Sequence, residues 1–534
     1  MKSSKNLVWL DINSSYSHSS LALPAIDATR VGDDYHWSCV SGTLGSDIYL
    51  ICKNLYERKP DIIAGTMWLF NHKIMLSICT RIKALMPEVV IILGGPEFNG
   101  DNQEFLRMNT CVNYVFRGEG EHGFHEFLKG ERNVTGLCYI DAKGDYVDLA
   151  KARVDDFASL PEPELSEFFC YSSPFVQLEF SRGCFNSCAF CVSGGDKPIR
   201  VKPIEQIKAR IERVRDKSIK DIRVLDRTFN FSVRRAKEML ELFKQYPDMN
   251  FHLEIHPALL SDELCEILSS MPNNLLHLEA GMQSLDDKVI TASERLGSNE
   301  DAISGLTKLC QMTNFETHAD LIAGLPFYTL VQIFKDVQQL SEIGAGEIQL
   351  ELLKLLPGTK MRAQAKEHGI KYSPEPPYEV LETPDASIFE LDRARLLSKL
   401  LDKFYNAKPW QGVMREIINE NDNFLEDFLV YLIPTELLEK PLSLQRRGEL
   451  LYDFLQSSVQ YNKYLDSLAI AWIENGISLK AKPAGKVEKT RQLPESITRE
   501  SNMHYYTWSS GKREIIFGFD RSKNHSYPVL KVEI

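Results

Sequence analysis

Short apolar, β-branched runs separated by helix-sized stretches recur in two blocks along the chain, and this alternation constrains the fold more than any other feature. In the opening block the runs are Asn6 to Asp11, Asp61 to Met67, Val89 to Gly94 and Tyr114 to Phe116, with helix patterns at His72 to Leu85 and Glu121 to Leu128. Such alternation predicts an α/β domain, a Rossmann-like parallel sheet with crossover helices over residues 1–133. Open sheets of this kind bind ligands at the carboxyl ends of their strands. Two glycine-bearing turns fall there, Gly94-Gly95-Pro96-Glu97 and Arg117-Gly118-Glu119-Gly120-Glu121. Gly94, Gly95, Gly118, Glu119 and Gly120 are therefore candidate cofactor-binding residues.

The second block carries strand candidates at Val176 to Phe180, Asp221 to Leu225, Asn250 to Ile255, Leu275 to Glu279, Glu316 to Ile322 and Glu347 to Leu353. Six repeats predict a partial (β/α)6 barrel over residues 173–375. Between the blocks, residues 134–172 read as a hairpin turning at Asp141 to Gly144 and a linker ending in Leu160-Pro161-Glu162-Pro163. Beyond Ser373-Pro374-Glu375-Pro376-Pro377 the pattern turns helical, at Asp392 to Phe404 and Leu442 to Leu455, and closes with strand-like runs at Arg513 to Phe519 and Pro528 to Ile534. Residues 376–534 are expected to form a mainly helical domain with terminal strands. The basic stretch Lys480 to Arg491 reads as a solvated linker, because the aromatic interleaving expected for single-stranded nucleic acid is missing. Tyr505, Tyr506 and Trp508 beyond it read as a hydrophobic edge of the closing unit.

A chain of 534 residues exceeds what one core supports, and 43% hydrophobic with 25% charged residues excludes collagen-like and wholly disordered classes. The formal charge of -12 argues against a broad nucleic-acid footprint and for small-molecule or protein substrates. Apolar runs stay far below the roughly 20 residues that cross a bilayer. Met1 to Leu10 has no signal-peptide apolar region, so a cytoplasmic protein without membrane attachment is expected. The 11 cysteines, an odd number without an export signal, argue against a disulfide framework, and the sequons at Asn13 and Asn133 are taken as accidental.

Three of those thiols, Cys184, Cys188 and Cys191, crowd into eight positions just after the strand candidate ending at Phe180. Three thiolates in a small volume can hold three irons of a four-iron, four-sulfur cube and leave the fourth iron open to a substrate. A zinc site normally adds a fourth ligand at characteristic spacing, and no His or Cys follows within a dozen residues. A thioredoxin-like pair fits poorly, since the loop carries three cysteines in a different β/α context.

The spacing C-x3-C-x2-C, with Phe190 before the last cysteine, closely resembles the radical S-adenosylmethionine (SAM) superfamily. The resemblance implies a [4Fe-4S] cluster on Cys184, Cys188 and Cys191 whose free iron binds SAM. Reductive cleavage would then give methionine and a 5'-deoxyadenosyl radical. It also implies roles at successive strand ends: Asp226 near the SAM amino end, Glu279, Gln283 and Ser284 near its ribose or carboxylate, and Asp320 to Gly324 near its adenine. Leu353 to Thr359 ends the sixth repeat. Glu254, His256 and His318 are either substrate contacts or satisfied polar residues lining the barrel. Glu179 and Arg182 are expected to pair or to hydrogen-bond the cluster loop.

The opening domain, over roughly residues 5 to 130, resembles the cobalamin-binding domain of the B12-dependent radical SAM class on the same two glycine motifs. The second motif is expected to open a helix whose amino end suits anionic or polar groups. No segment matches the D-x-H-x-x-G motif, so no lower axial histidine is assigned; His18 is either a loop contact or part of a Ser-rich turn. The arrangement as a whole is similar to a bacterial family of B12-binding radical SAM proteins. That resemblance supplies no substrate; the first reading is cobalamin-assisted methylation of an unactivated carbon or phosphorus centre, with a flavodoxin or ferredoxin as electron donor and an unidentified small-molecule or peptide substrate. Two alternatives stay open: radical cyclisation, rearrangement or oxidation without methyl transfer, and a non-catalytic iron-sulfur redox or ligand-binding role.

Overall fold

A computed structural model describes residues 5–15, 20–32, 34–494, 496–510, 513–520 and 527–534; His18 lies outside the described residues. The chain divides into two compact units, one of Met1–Thr317, Gly324–Tyr328 and Leu352–Ile388, the other of His318–Ala323, Thr329–Glu351 and Phe389–Ile534.

The first unit begins with β1 (Lys5–Asn13), β2 (Tyr35–Thr43), β3 (Ile62–Thr66), β4 (Val90–Gly94), β5 (Tyr114–Phe116), β6 (Leu137–Ile140) and β7 (Tyr146–Asp148), in the sheet order β2-β1-β3-β4-β5-β6-β7. β1 to β5 pair in parallel, as the alternation predicts. Five helices connect them: α1 (Ala22–Ala28), α2 (Ile48–Glu57), α3 (His72–Leu85), α4 (Gln103–Met108) and α5 (Gly123–Leu128). β3 is buried at all five positions, the pattern of a strand covered on both faces. α3 turns Met75, Ile78, Cys79 and Ile82 onto one side of the sheet, at the spacing of a helical stripe. The other side is packed by Leu7, Trp9, Ala64, Ile92, Phe116 and Phe124. β2 was not among the expected strands; it is an edge strand with one neighbour, and its mixed sequence YHWSCVSGT carries little apolar signal. The expected hairpin is present as β6 and β7, and it extends the opening sheet antiparallel from β5.

The first unit continues with β8 (Phe175–Leu178), β9 (Ser181–Arg182), β10 (Arg200–Val201), β11 (Asp221–Val224), β12 (Asn250–Ile255) and β13 (Leu276–Gln283). β8, β11, β12 and β13 pair in parallel in that order. Burial alternates along β12 and β13, with Phe251, Leu253, Leu276 and Leu278 on the covered face. The opposite face is polar: the register sets Arg223 between Gln177 and His252, His252 beside His277, and Glu254 beside Glu279. The fifth and sixth predicted strands exist as β14 (Glu316–Ala323) and β15 (Glu347–Leu352), and a short antiparallel ribbon follows, β16 (Lys371–Tyr372) with β17 (Val380–Glu382).

The second unit is mainly helical beyond Phe389, with helices at Lys408–Glu420, Phe424–Leu432, Leu444–Ser457 and Leu465–Glu474. Trp410 and Trp472, both fully buried, meet at 5.9 Å between ring centroids in its core. It closes with an antiparallel sheet in the order β18 (Val487–Lys489), β19 (Met503–Ser509), β20 (Glu514–Asp520), β21 (Leu530–Glu533). The basic stretch expected to be a linker thus contains a strand, and Tyr505, Tyr506 and Trp508 lie in an interior strand rather than at an edge. Among the described residues no helix is long and apolar enough to cross a membrane.

Candidate active site

The three cysteines lie on the loop that leaves β8, and the ribbon of β9 and β10 brackets that loop by pairing Arg182 with Arg200. Cys184 and Cys188 are buried and Cys191 is partly so. Each sulfur receives a donor: Asn186 N–H at 3.4 Å on Cys184, Ser193 N–H at 3.4 Å on Cys191, and the Arg295 guanidinium at 3.7 Å on Cys188. Burial pushes the Cys188 thiol up, Arg295 opposes this, and the charges of Cys191 and Cys184 add to the rise. Between Cys188 and Cys191, Ala189 donates its N–H to Ser293 O at 2.9 Å and accepts from Met361 N–H at 2.8 Å. Among the described residues no three His, Cys, Asp or Glu side chains close on a single ion position.

Asp226 lies directly beneath the start of this loop. It is 1% exposed, and its Oδ1 accepts from the N–H groups of Phe180 and Ser181 at 2.8 and 2.7 Å. Burial pushes its carboxyl up to about 6 in spite of those bonds. His256 is neutral, pushed down to about 3 by burial and by the Arg295 charge, and its Nε2 lies 3.0 Å from Leu296 O, so it anchors the segment that carries Arg295.

On the polar face of the strands, Glu279 Oε2 lies 2.8 Å from His252 Nε2, and His252 stacks on His277. Burial raises the Glu254 carboxyl, with Arg227 opposing and Glu279 reinforcing the shift. Gln283 ends β13 with φ +68°, and the fully buried Ser284 accepts from Asp286 N–H at 3.1 Å. Gly324 follows β14 with Val380 packed 3.5 Å from where its Cβ would be. In the second unit, Asp320 Oδ1 lies 3.2 Å from His318 Nε2, with Glu347 at 3.8 Å on the other side of the ring.

A cleft of about 530 Å3 opens at the carboxyl edge of the first sheet, within the size range of ligand pockets. Gly94, Gly95, Gly118, Glu119 and Gly120 all line it, as do Trp9, Trp68, Phe116 and Phe124. Its opposite wall is Gln177, Glu179, Ser181, Arg182, Gly183 and Arg227, from the strands and loop that lead to the cysteines. Gly118 is required where it stands: φ is +96°, and a Cβ would lie 2.2 Å from Ala152 O. Among the described residues, three buried polar atoms of the lining have no hydrogen-bond partner: Trp9 Nε1, Glu121 Oε2 and Arg182 Nη1.

Arg182 and Glu179 of this wall share one ion-pair network with Glu119, Glu121 and Arg200. Arg182 binds Glu121 at 2.7 Å, Glu179 at 2.8 Å and Glu119 at 3.4 Å, and those carboxylates outweigh the burial that works against its charge. Glu119 also binds Arg200 at 2.8 Å and accepts from Val154 N–H at 2.8 Å. Burial alone would raise its carboxyl, but the Arg200 hydrogen bond and the Arg182 charge hold it below the ordinary value. The expected pairing of Glu179 with Arg182 is present. The helix expected after the second glycine motif is α5, which starts at Gly123, with Phe124 N–H reaching back to Gly120 O at 3.0 Å; the motif itself lines the cleft. Arg295, Trp9 and Trp68 were not singled out from sequence, because each reaches the site only through the path of the chain.

Family models match three stretches: the Radical SAM superfamily over residues 178–340, a B12 binding domain over 49–128, and a protein of unknown function (DUF4080) over 366–504. The cobalamin-dependent radical SAM methyltransferase TokK of Streptomyces tokunonensis is 23% identical over 362 residues, 62% of this chain and 53% of that protein. A tRNA-2-methylthio-N(6)-dimethylallyladenosine synthase of Acinetobacter baumannii is 24% identical over 275 residues, 48% of this chain and 56% of that one. The chain thus spans just over half the length of these curated relatives. Among solved structures, OxsB with aqua-cobalamin and S-adenosylmethionine bound has a similar fold at TM-score 0.63 and 14% identity, covering 89% of this chain and 82% of that one. TsrM from Kitasatospora setae, with cobalamin and a [4Fe-4S] cluster bound, aligns at TM-score 0.54 and 17% identity over 70% of this chain and 78% of that one. A stretch that matches the B12 binding domain and a stretch that matches the Radical SAM superfamily thus follow one another along this chain.

Proposed function

We propose that the enzyme cleaves SAM reductively to a 5'-deoxyadenosyl radical and uses cobalamin as methyl carrier to methylate an unactivated carbon or phosphorus centre. The observation that carries this reading is the shared wall. Arg182 stands two positions before Cys184, and the same side chain lines the cleft and binds Glu121 of the glycine motif.

When bound, a [4Fe-4S] cube would supply an electron and an open iron to SAM, and cobalamin would supply the transferable methyl group. The chain's residues fit both. Cys184, Cys188 and Cys191 would hold three corners of the cube, and the donors on their sulfurs stabilise added negative charge there. In the cleft, the apolar floor of Trp9, Ile92, Phe116 and Phe124 suits a flat macrocycle, and the unpartnered Trp9 and Glu121 atoms suit its peripheral amides. That floor also keeps water from the reacting centre. Asp226 fixes the exit of β8, and Glu279, Gln283, Ser284, Asp320 and Gly324 are the proposed SAM contacts. A flavodoxin or ferredoxin is the proposed electron donor. The names of the methyltransferase relatives support the methyl-transfer half of the reading.

Anaerobic reconstitution with iron, sulfide, cobalamin and SAM tests it. Methylation requires both 5'-deoxyadenosine and S-adenosylhomocysteine to accumulate. Deoxyadenosine alone would favour radical chemistry without methyl transfer, and no SAM cleavage under reducing conditions would overturn the enzyme reading.

A further inference from the structure

The segment from Leu353 to Val380 touches both halves of the proposed site. Pro357 and Gly358 run along the glycine turn after β4: a Cβ on Gly358, where φ is +80°, would lie 2.6 Å from Asn99 O, and a Cβ on Gly100 would lie 3.0 Å from Gly358 N. Three residues further on, Met361 N–H reaches Ala189 O between Cys188 and Cys191, at 2.8 Å. Lys360 adds an ion pair to Glu294, one residue from the Arg295 that bonds Cys188. The segment then returns, and Tyr378 donates its hydroxyl to Glu97 at 2.7 Å.

Glu97 closes the Gly94-Gly95-Pro96-Glu97 turn that walls the cleft. Its side chain is 3% exposed, and the same Oε2 that accepts from Tyr378 also meets His72 Nδ1 at 2.9 Å. The phenol is locked as a donor, because burial and the Glu97 charge both raise its titration. Its ring is covered by the Arg362 guanidinium at 4.4 Å, and Leu355 N–H and Tyr378 O bond at 2.9 Å, which ties the two arms of the segment together. The outgoing arm therefore holds both the cleft turn, through Gly358, and the cysteine loop, through Met361, while the returning arm holds the cleft turn through Tyr378.

We infer that residues 353–380 act as a spacer that fixes the separation of cleft and cluster loop, with Tyr378 and Gly358 as its positioning residues. This rests on the proposed function, since a fixed separation matters only if two cofactors work together. Neither residue lines the cleft or bonds a cysteine, so each acts through the turn it holds. A misplacement on the order of 1 Å can cost a transfer step about 100-fold.

The test needs no knowledge of the substrate. Wild type, Tyr378→Phe and Gly358→Ala are reconstituted with cobalamin and cluster, and the magnetic interaction between cob(II)alamin and the reduced cluster is read by electron paramagnetic resonance. The expected result is full loading of both cofactors with a changed spin–spin splitting in both variants, and SAM cleavage within about twofold of wild type. A side chain with only a folding role would lower loading and leave the splitting of the loaded fraction unchanged. That outcome, or identical splitting in fully loaded variants, overturns the inference. A wild-type protein that takes up no cobalamin overturns the proposed function itself, and with it the inference.

Discussion

The loop from Gly183 to Asp196 and the cleft beside it occupy one unit but are specified differently. The loop closes largely on itself: Cys191 N–H returns to Cys188 O, Gly194 N–H to Cys191 O, Gly195 N–H to Asn186 O and Cys184 N–H to Asp196 O. The cleft takes its walls from the ends of β1, β3, β4 and β5, from α1, and from residues that approach the cysteines more than fifty positions later. The proposed ligand set, confined to a short loop, would fail only as a whole. A wall assembled from many strand ends degrades by degrees.

Replacing Cys184, Cys188 and Cys191 by Ala should abolish SAM cleavage while the cobalamin spectrum persists; loss of both signals would show that the two regions are not separable. A graded effect is expected from Gly118→Ala, which forces a side chain into positive φ and onto Ala152 O. Strain of this kind costs about 1–3 kcal/mol, to be measured as a lowered urea midpoint with weaker cobalamin uptake and unchanged iron content.

Asp226 sharpens the comparison through pH. Its folded carboxyl titrates near 6 against an ordinary value of 3.8, so the folded state holds the proton more tightly than the unfolded chain. Stability should therefore fall as pH rises from about 4 to 6, by on the order of 3 kcal/mol. Asp226→Asn should remove that slope while its amide oxygen still accepts from Phe180 and Ser181; an unchanged slope would place the titration elsewhere. The smallest effect is expected from Lys360→Ala, since its ion pair to Glu294 is largely solvent-exposed and such pairs contribute about 1 kcal/mol or less. Thermal melts should barely move.

These contrasts explain what could be read from the amino acids alone. The crowding of Cys184, Cys188 and Cys191 onto one loop was legible from their spacing, while their role as cluster ligands is the proposed one, and β12 was legible to the residue because apolar and polar positions alternate through Asn250 to Ile255. The glycine turns after β4 and β5 were visible as strand ends, and both line the cleft. Trp9 was not, because an apolar residue in a strand has the same local signature whether it faces a core or a ligand. The charge network was half visible: Glu179 and Arg182 are three residues apart, whereas Arg200 meets Glu119 across 81 positions. β2 and β18 escaped notice because edge strands owe their conformation to a neighbour more than to their own pattern.

The hairpin of β6 and β7 has a practical consequence. It covers the hydrogen-bonding edge of β5, and the chain leaving it returns to the glycine turn, where Ala152 N–H meets Arg117 O and Glu119 N–H meets Ala152 O. A recombinant fragment ended at residue 133 would leave that edge bare and sticky. One carried to about residue 155 would keep its own seam closed, and should stay monomeric in gel filtration where the shorter piece clumps.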